Sequence, residues 1–219
     1  ERFDAHQFVA QAEKEGAIMS VVNKSKVQEN AFKAYAPVND TTEALLKLAK
    51  GYQRLFNVKK VAITGSNGKT TTTSMLSLCF LEAMQDPSIQ VGAFLKPING
   101  NYKIGESEHF IIEACEYVES FLKFSPKSEI ILNIDSDHLD YFKNFENIKN
   151  AFTKYVKLLP NDGLLVLNGD DQNCLDLIQH TNAKCVTYGI SNKNTDYFAV
   201  NIVFDNDGFA EFDVYSHDE

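Results

Sequence analysis

Residues 65–71 read Gly-Ser-Asn-Gly-Lys-Thr-Thr, between an apolar run ending at Thr64 and a long helical pattern. Two glycines three apart let backbone amides crowd an anion, and a helix N-terminus adds partial positive charge. A lysine there can reach terminal phosphates, and the next hydroxyl can ligate Mg2+. In that chemistry Gly65, Ser66, Asn67, Gly68, Lys69, Thr70 and Thr71 hold a nucleotide, with Thr70 on the metal. The usual P-loop, G-x-x-x-x-G-K-S/T, is longer. Its first glycine would fall at position 63, which is isoleucine. The competing reading is a glycine-rich turn with an exposed lysine.

Three more apolar runs end in polar residues: Glu113 and Glu116, Asp135 to Asp140, and Asn168 to Asp171. A carboxylate ending an apolar strand is costly without a partner, and Mg2+ prefers hard oxygen ligands. That makes Glu113 a candidate metal ligand, beside the alternative of a solvated strand end. Glu116 and Glu119 read as a solvated face. His138, in Asn-Ile-Asp-Ser-Asp-His-Leu-Asp, reads as a loop or capping residue; imidazole suits softer metals than Mg2+. Asp137 and Asp140 either orient its ring or cap the following helix. Asn168–Asp171 either faces the nucleotide or turns the chain. His6, His109, His180 and His217 have no companions and receive no role.

The elements that must position these residues follow from periodicity. Phe3, Phe8, Val9 and Ala12 predict a helix stopping near Gly16, followed by a short buried strand over 17–22. Asp40 predicts an N-cap, with Glu43 completing a capping box; Ala44, Leu45, Leu48, Tyr52 and Leu55 form that helix's apolar stripe. From residue 58 strand and helix alternate: strands over 59–64, 109–114, 129–134, 163–168 and 183–190, and helices over 69–84, from about Phe145, and over 172–178. Two alternating runs around Asp205-Asn206-Asp207-Gly208 predict a closing β-hairpin. The expected fold class is α/β, a mostly parallel P-loop-type sheet with helices on both faces. Residues 58–219 are expected as one nucleotide-binding domain, and residues 1–57 as part of a separate N-terminal α/β domain. Ligands of such sheets bind beyond the strands' carboxyl ends.

The net charge of −9 argues against a nucleic-acid partner. No apolar run approaches the roughly 20 residues of a membrane span, and no signal peptide is visible, so a cytoplasmic protein is expected. Cys79, Cys115, Cys174 and Cys185 lack metal-site spacing and read as reduced, mostly buried thiols. The chain begins without Met, which suggests a piece of something longer.

With these residues placed, the chain resembles the Mur ligases, ATP-dependent amide-bond ligases that build the peptidoglycan stem peptide. T-G-x-x-G-K-T is that family's short nucleotide loop. The resemblance implies that Glu113 and the histidine of N-x-x-x-D-H-L-D, His138, are magnesium ligands. Residues 86–190 are most similar to the alanine-adding member, carried by Asp-Pro-Ser-Ile-Gln-Val-Gly-Ala-Phe and by the segment from Gly100 to Phe124. Sister ligases carry a carbamylated lysine downstream of the histidine; the matching position here is Phe152, followed by Thr153. The loop's Ser66-Asn67 and the segment from Arg2 to Ala17 resemble the later-acting members instead, with Ala5 in place of a glycine.

The resemblance implies phosphoryl transfer from ATP to the carboxylate of a UDP-N-acetylmuramate-type nucleotide sugar, then attack on the acyl phosphate by an amino acid, L-alanine in the member most resembled. Lys69 and the loop amides hold phosphates; Thr70 and Glu113 hold one Mg2+, and Glu113 with His138 a second. Residues 1–57 correspond to a partial UDP-sugar-binding domain, and a C-terminal ligase domain is expected in the parent protein. The alternatives are a ligase adding a diamino acid or D-Ala-D-Ala, and an ATP-binding module without catalysis. A P-loop hydrolase or kinase fits the short loop poorly.

Overall fold

The computed structural model describes residues 4–26, 34–53 and 55–217. The chain forms two compact units, Glu1–Asn57 and Val58–Glu219. In the first, Asp4 caps a 3-10 turn, Ala5–Phe8, that runs into α1 (Val9–Lys14). Gly16, at φ 103°, ends it where no β-carbon obstructs the left-handed turn; Phe3 lies outside the described residues. The strand expected over 17–22 is instead β1 (Ser20–Asn23), with Val22 alone in it buried; Ile18 is 91% exposed. β1 pairs in parallel with β2 (Tyr35–Val38), a strand the polar sequence around it concealed. Asp40 Oδ1 accepts the Glu43 N–H at 2.9 Å and caps α2 (Thr41–Gln53). The Glu43 carboxylate turns away to Lys47 rather than closing a capping box. Leu45, Leu48, Tyr52 and Leu55 of its apolar stripe are exposed.

The second unit is one sheet. Its elements are β3 (Lys59–Thr64), α3 (Lys69–Glu82), β4 (Ser88–Leu95), β5 (Gly100–Lys103), β6 (His109–Glu113), β7 (Ser128–Ile131), α4 (Leu139–Phe142), α5 (Phe145–Val156), β8 (Leu164–Asn168), α6 (Gln172–Leu175), β9 (Lys184–Gly189), β10 (Tyr197–Phe204) and β11 (Ala210–Ser216). The strand order is β11-β10-β9-β8-β7-β3-β6-β4-β5. Pairings are parallel except at the two edges, where β10–β11 and β4–β5 are antiparallel. β4 and β5 were not expected. β4 loses its apolar alternation after Val91, and β5 (Gly-Asn-Tyr-Lys) is a polar edge strand with no pattern to read.

Successive side chains on a strand face opposite sides of a sheet, and both sides here are apolar. Ala62, Ile112, Ile131, Leu165 and Leu167 join a buried cluster with Ile148, Phe152, Tyr155 and Val156 of α5. Ile63 and Ile111 pack on the other side with Leu76 and Phe80 of α3. This is the doubly covered α/β sheet expected. β3 lies between β6 and β7, so the loops that follow these strands share one edge. No helix among the described residues is long and apolar enough to cross a membrane.

Candidate functional site

The loop after β3 is fixed before any ligand arrives. Gly65 has φ 136°, and a β-carbon there would lie 3.0–3.1 Å from Asn133 backbone atoms and Leu132 Cβ. The Ser66 N–H donates to the Asn133 carbonyl at 3.1 Å. Asn133 then clasps Asn67, its Oδ1 accepting the Asn67 N–H at 2.8 Å and its Nδ2 donating to the Asn67 carbonyl at 3.0 Å. Ser66 Oγ accepts the Asp135 N–H at 2.8 Å. The backbone N–H groups of Ser66 and Asn67 are thus already committed to the β7 loop. Those of the first turn of α3 have no intrahelical acceptors. That turn is entered through Gly68 at φ 84° with no side-chain cap, so an anion is left to satisfy it. Asn133 sits in the quoted histidine motif, but an amide side chain gave no chemical signal of this bracing role.

Lys69 and Thr70 take up different partners. Lys69 Nζ donates to the Gly65 carbonyl at 2.6 Å and to Glu116 Oε1 at 3.1 Å. Thr70 Oγ1 donates to Glu113 Oε1 at 2.9 Å, and Gly92 of β4 donates its N–H to Glu113 Oε2 at 2.6 Å. A hydroxyl and a carboxylate in contact beside a helix N-terminus are the oxygen donors that a hard divalent cation accepts, so this pair fits Mg2+. Thr71 is the next residue on the same exposed turn.

Glu116 is the main correction. Expected on a solvated face, it is 2% exposed and lies against Lys69 and His138. Glu119, by contrast, does pair at the surface, with Lys154. His138, at φ 53°, is the residue that enters α4, and its ring carries no capping hydrogen bond. Its Nε2 is 3.6 Å from Glu116 Oε1 and 3.8 Å from Asp137 Oδ2. The Tyr117 ring lies over it, centroids 4.7 Å apart, and the Tyr117 hydroxyl donates to Asp140 Oδ2 at 3.1 Å. That bond raises the phenol pKa above its ordinary value. Asp140 therefore steadies the ring that covers His138 rather than His138 itself. Among the described residues, the His, Cys, Asp and Glu side chains grouped with ligand atoms within 4.8 Å of one another are Glu116, Asp137 and His138. Glu113 is not in that group.

Asn168–Asp171 turns and braces the chain. Asp170 accepts the N–H groups of Ile190, Ser191 and Asn192 at 2.6–3.1 Å. Burial works to raise its pKa, and these bonds hold it below the usual carboxylate value. Asp171 Oδ2 accepts the Ile134 N–H at 2.8 Å, tying the β7 loop to α6. Phe152 is fully buried in the core, packed edge-on against Phe121. Of the cysteines, Cys79 and Cys115 are exposed, against the expectation of mostly buried thiols. Cys115 has to face outward because its neighbours Ala114 and Glu116 occupy the buried positions.

The family described as the Mur ligase middle domain matches residues 63–219. The UDP-N-acetylmuramate–L-alanine ligase of Acetivibrio thermocellus is 48% identical over 159 residues, 73% of this chain and 34% of that protein. The ligase of the same name from Clostridium kluyveri is 48% identical over 198 residues, 89% of this chain and 42% of that protein, so the similarity runs upstream of Asp86. The chain thus spans well under half the length of these relatives. The solved structure of MurF ligase from Thermotoga maritima in complex with ADP superposes with a TM-score of 0.78 at 20% identity, over 99% of this chain and 52% of that one. With its sheet, its short glycine loop and a family match over most of its length, the chain belongs to the Mur ligase family.

Proposed function

We propose that Val58–Glu219 is the ATP-binding part of a ligase that joins L-alanine to UDP-N-acetylmuramate. The observation that carries the nucleotide reading is the contact of Thr70 Oγ1 with Glu113 Oε1, 2.9 Å, beside the uncapped first turn of α3. It sets a hard cation's ligands next to an anion's donors. The alanine-adding reading rests on the relatives' names and on Phe152, which fills the core where sister ligases carry a lysine.

ATP supplies the phosphoryl group: the substrate carboxylate takes the γ-phosphoryl and ADP leaves. The amine then attacks the acyl carbon, losing a proton as phosphate departs and the amide forms. In this reading the amides of Gly68, Lys69, Thr70 and Thr71 hold phosphate oxygens, Lys69 neutralises their charge, and Gly65 with Asn133 keeps the loop open without strain. Thr70 and Glu113 would hold Mg2+, which would offset charge as two anions approach. Glu1–Asn57 contributes part of the sugar-nucleotide side, and the rest of the parent protein presents the amino acid. In this reading the protein works in the cytoplasm, where ATP is available.

Calorimetry of this chain with Mg·ADP and Mg·ATP tests the reading. Weak binding abolished by Lys69→Ala is expected; equal heats from both proteins would remove it. The chain alone is expected not to ligate, and amide formation by it would overturn that division of labour. Assaying the intact parent with L-alanine, diaminopimelate and D-Ala-D-Ala decides the amine.

A further inference from the structure

Two side chains in the packed interior carry polar atoms that the protein itself does not satisfy. Glu129 of β7 has no exposed surface, and neither of its carboxylate oxygens has a hydrogen-bond partner. Tyr155 of α5 is equally buried, and its hydroxyl is also without a partner. A buried donor or acceptor left unpaired loses its hydration and gains nothing for it, so such groups are ordinarily bonded to protein or to ordered water.

These atoms fall in one layer of the fold. Glu129 is paired with Ala62 of β3 on one side and with Leu165 of β8 on the other. Paired residues of neighbouring strands share a face of the sheet. Ala62, Leu165 and Tyr155 all belong to the cluster that α5 covers, so the Glu129 carboxyl enters that layer from the sheet and Tyr155 enters it from the helix. The Tyr155 ring is stacked on Phe121, centroids 4.3 Å apart, which fixes where its hydroxyl stands. Burial, and then the Glu129 charge, raise the phenol pKa well above its ordinary value, which places the two groups near one another. On the β3 side the carboxyl is flanked by no more than the Ala62 methyl group. Lys60, two residues before Ala62 and so on the same face, is 8% exposed, yet the Glu129 oxygens accept nothing from it. Burial lowers the Lys60 pKa and raises that of Glu129, disfavouring an ion pair from both ends.

We propose that Glu129 and Tyr155 hold an internal water molecule between the sheet and α5, hydrogen-bonded to the carboxyl and the hydroxyl at once. Buried waters make about three such bonds. A protonated carboxyl offers a donor and an acceptor, and a phenol offers either. The water joins β7 to α5 through these two side chains, and the site does not depend on the nucleotide reading.

Oxygen-17 relaxation dispersion of water, which counts internal molecules that outlast the protein's tumbling, tests this on the full 219-residue chain. Tyr155→Phe should lose one such water. Glu129→Leu should lose the same one, so the double variant should lose no more than either. Glu129→Gln should keep it, because an amide both donates and accepts. Thermal melts check that each variant is folded; if Glu129→Leu is not, the Tyr155→Phe count decides alone. A count unchanged in either folded single variant, or a water lost in Glu129→Gln, overturns the site. A crystal structure gives the location: solvent density within hydrogen-bond distance of both side chains supports the bridge, and a direct carboxyl–phenol hydrogen bond with no water between overturns it.

Discussion

The Gly92 N–H donates to Glu113 Oε2 at 2.6 Å, from a position where a β-carbon would lie 2.8 Å from both carboxylate oxygens. β4 thus aims the carboxylate at Thr70 by two means, a donated hydrogen bond and an absent side chain. Gly92→Ala keeps the strand, since alanine costs an exposed strand position little, but pushes Glu113 off Thr70. Nucleotide-dependent Mg2+ affinity should fall about tenfold, roughly 1.4 kcal/mol, with the melting temperature nearly unchanged. Calorimetry at fixed nucleotide measures the first and circular dichroism the second; unaltered Mg2+ affinity would show that Glu113 needs no aiming.

Asn133 braces the nucleotide loop through two hydrogen bonds to Asn67. Each such bond contributes about 1 kcal/mol net. Asn133→Ala should therefore weaken nucleotide binding by roughly tenfold or more, and Asn133→Asp, whose second carboxylate oxygen would face the Asn67 carbonyl, should not recover it. Faster amide exchange at Ser66 and Asn67 in the alanine variant gives an independent reading. Exchange equal to that of the unsubstituted chain would place the bracing elsewhere.

Chain-local patterns were the legible part. The strand into Gly65, the helix from Lys69 and the Asp40 cap each lie within a few residues of their own signals. Sequence could not reveal Glu116. Its partner Lys69 is 47 residues away, and the two meet because β3 pairs with β6 in one register. Glu-Tyr-Val-Glu looks like a solvated stretch until strained backbone at Val118 and Glu119 turns the first carboxylate inward. Gly92 is similar: a glycine in a weak strand pattern acquires meaning from the β4–β6 pairing, which puts its N–H at the end of β6. The α2 stripe shows the converse, since a clear helical period does not say what it packs against.

Cys79 and Cys115 are exposed, whereas burial pushes the Cys174 and Cys185 thiols up. A thiol must ionise to react, so a disulfide reagent should titrate two groups quickly and two slowly. Cys115 lies between Glu113 and Glu116, and Cys79 near the far end of α3. Mg·ADP should therefore slow one of the two fast reactions, and Cys115→Ser should remove the protected one. Protection of neither, in a chain shown to bind Mg·ADP, would place the nucleotide away from the end of β6.

Glu129 lies on β7 with no exposed surface, both its carboxylate oxygens without hydrogen-bond partners, and the Tyr155 hydroxyl close by is also unpartnered. Burial raises its pKa from 4.5 to about 9. The folded state thus binds a proton that the unfolded chain releases above about pH 4.5. This favours folding below that pH, and the advantage is lost progressively as pH rises toward 9. Between pH 5 and pH 8 the loss should amount to about 3–4 kcal/mol at 1.36 kcal/mol per pH unit. Glu129→Gln keeps the shape and has no proton to lose. Urea unfolding of both proteins at the two pH values should show the glutamine variant gaining relative stability as pH rises. A difference that stays constant with pH would mean that Glu129 has a partner in solution which holds it ionised.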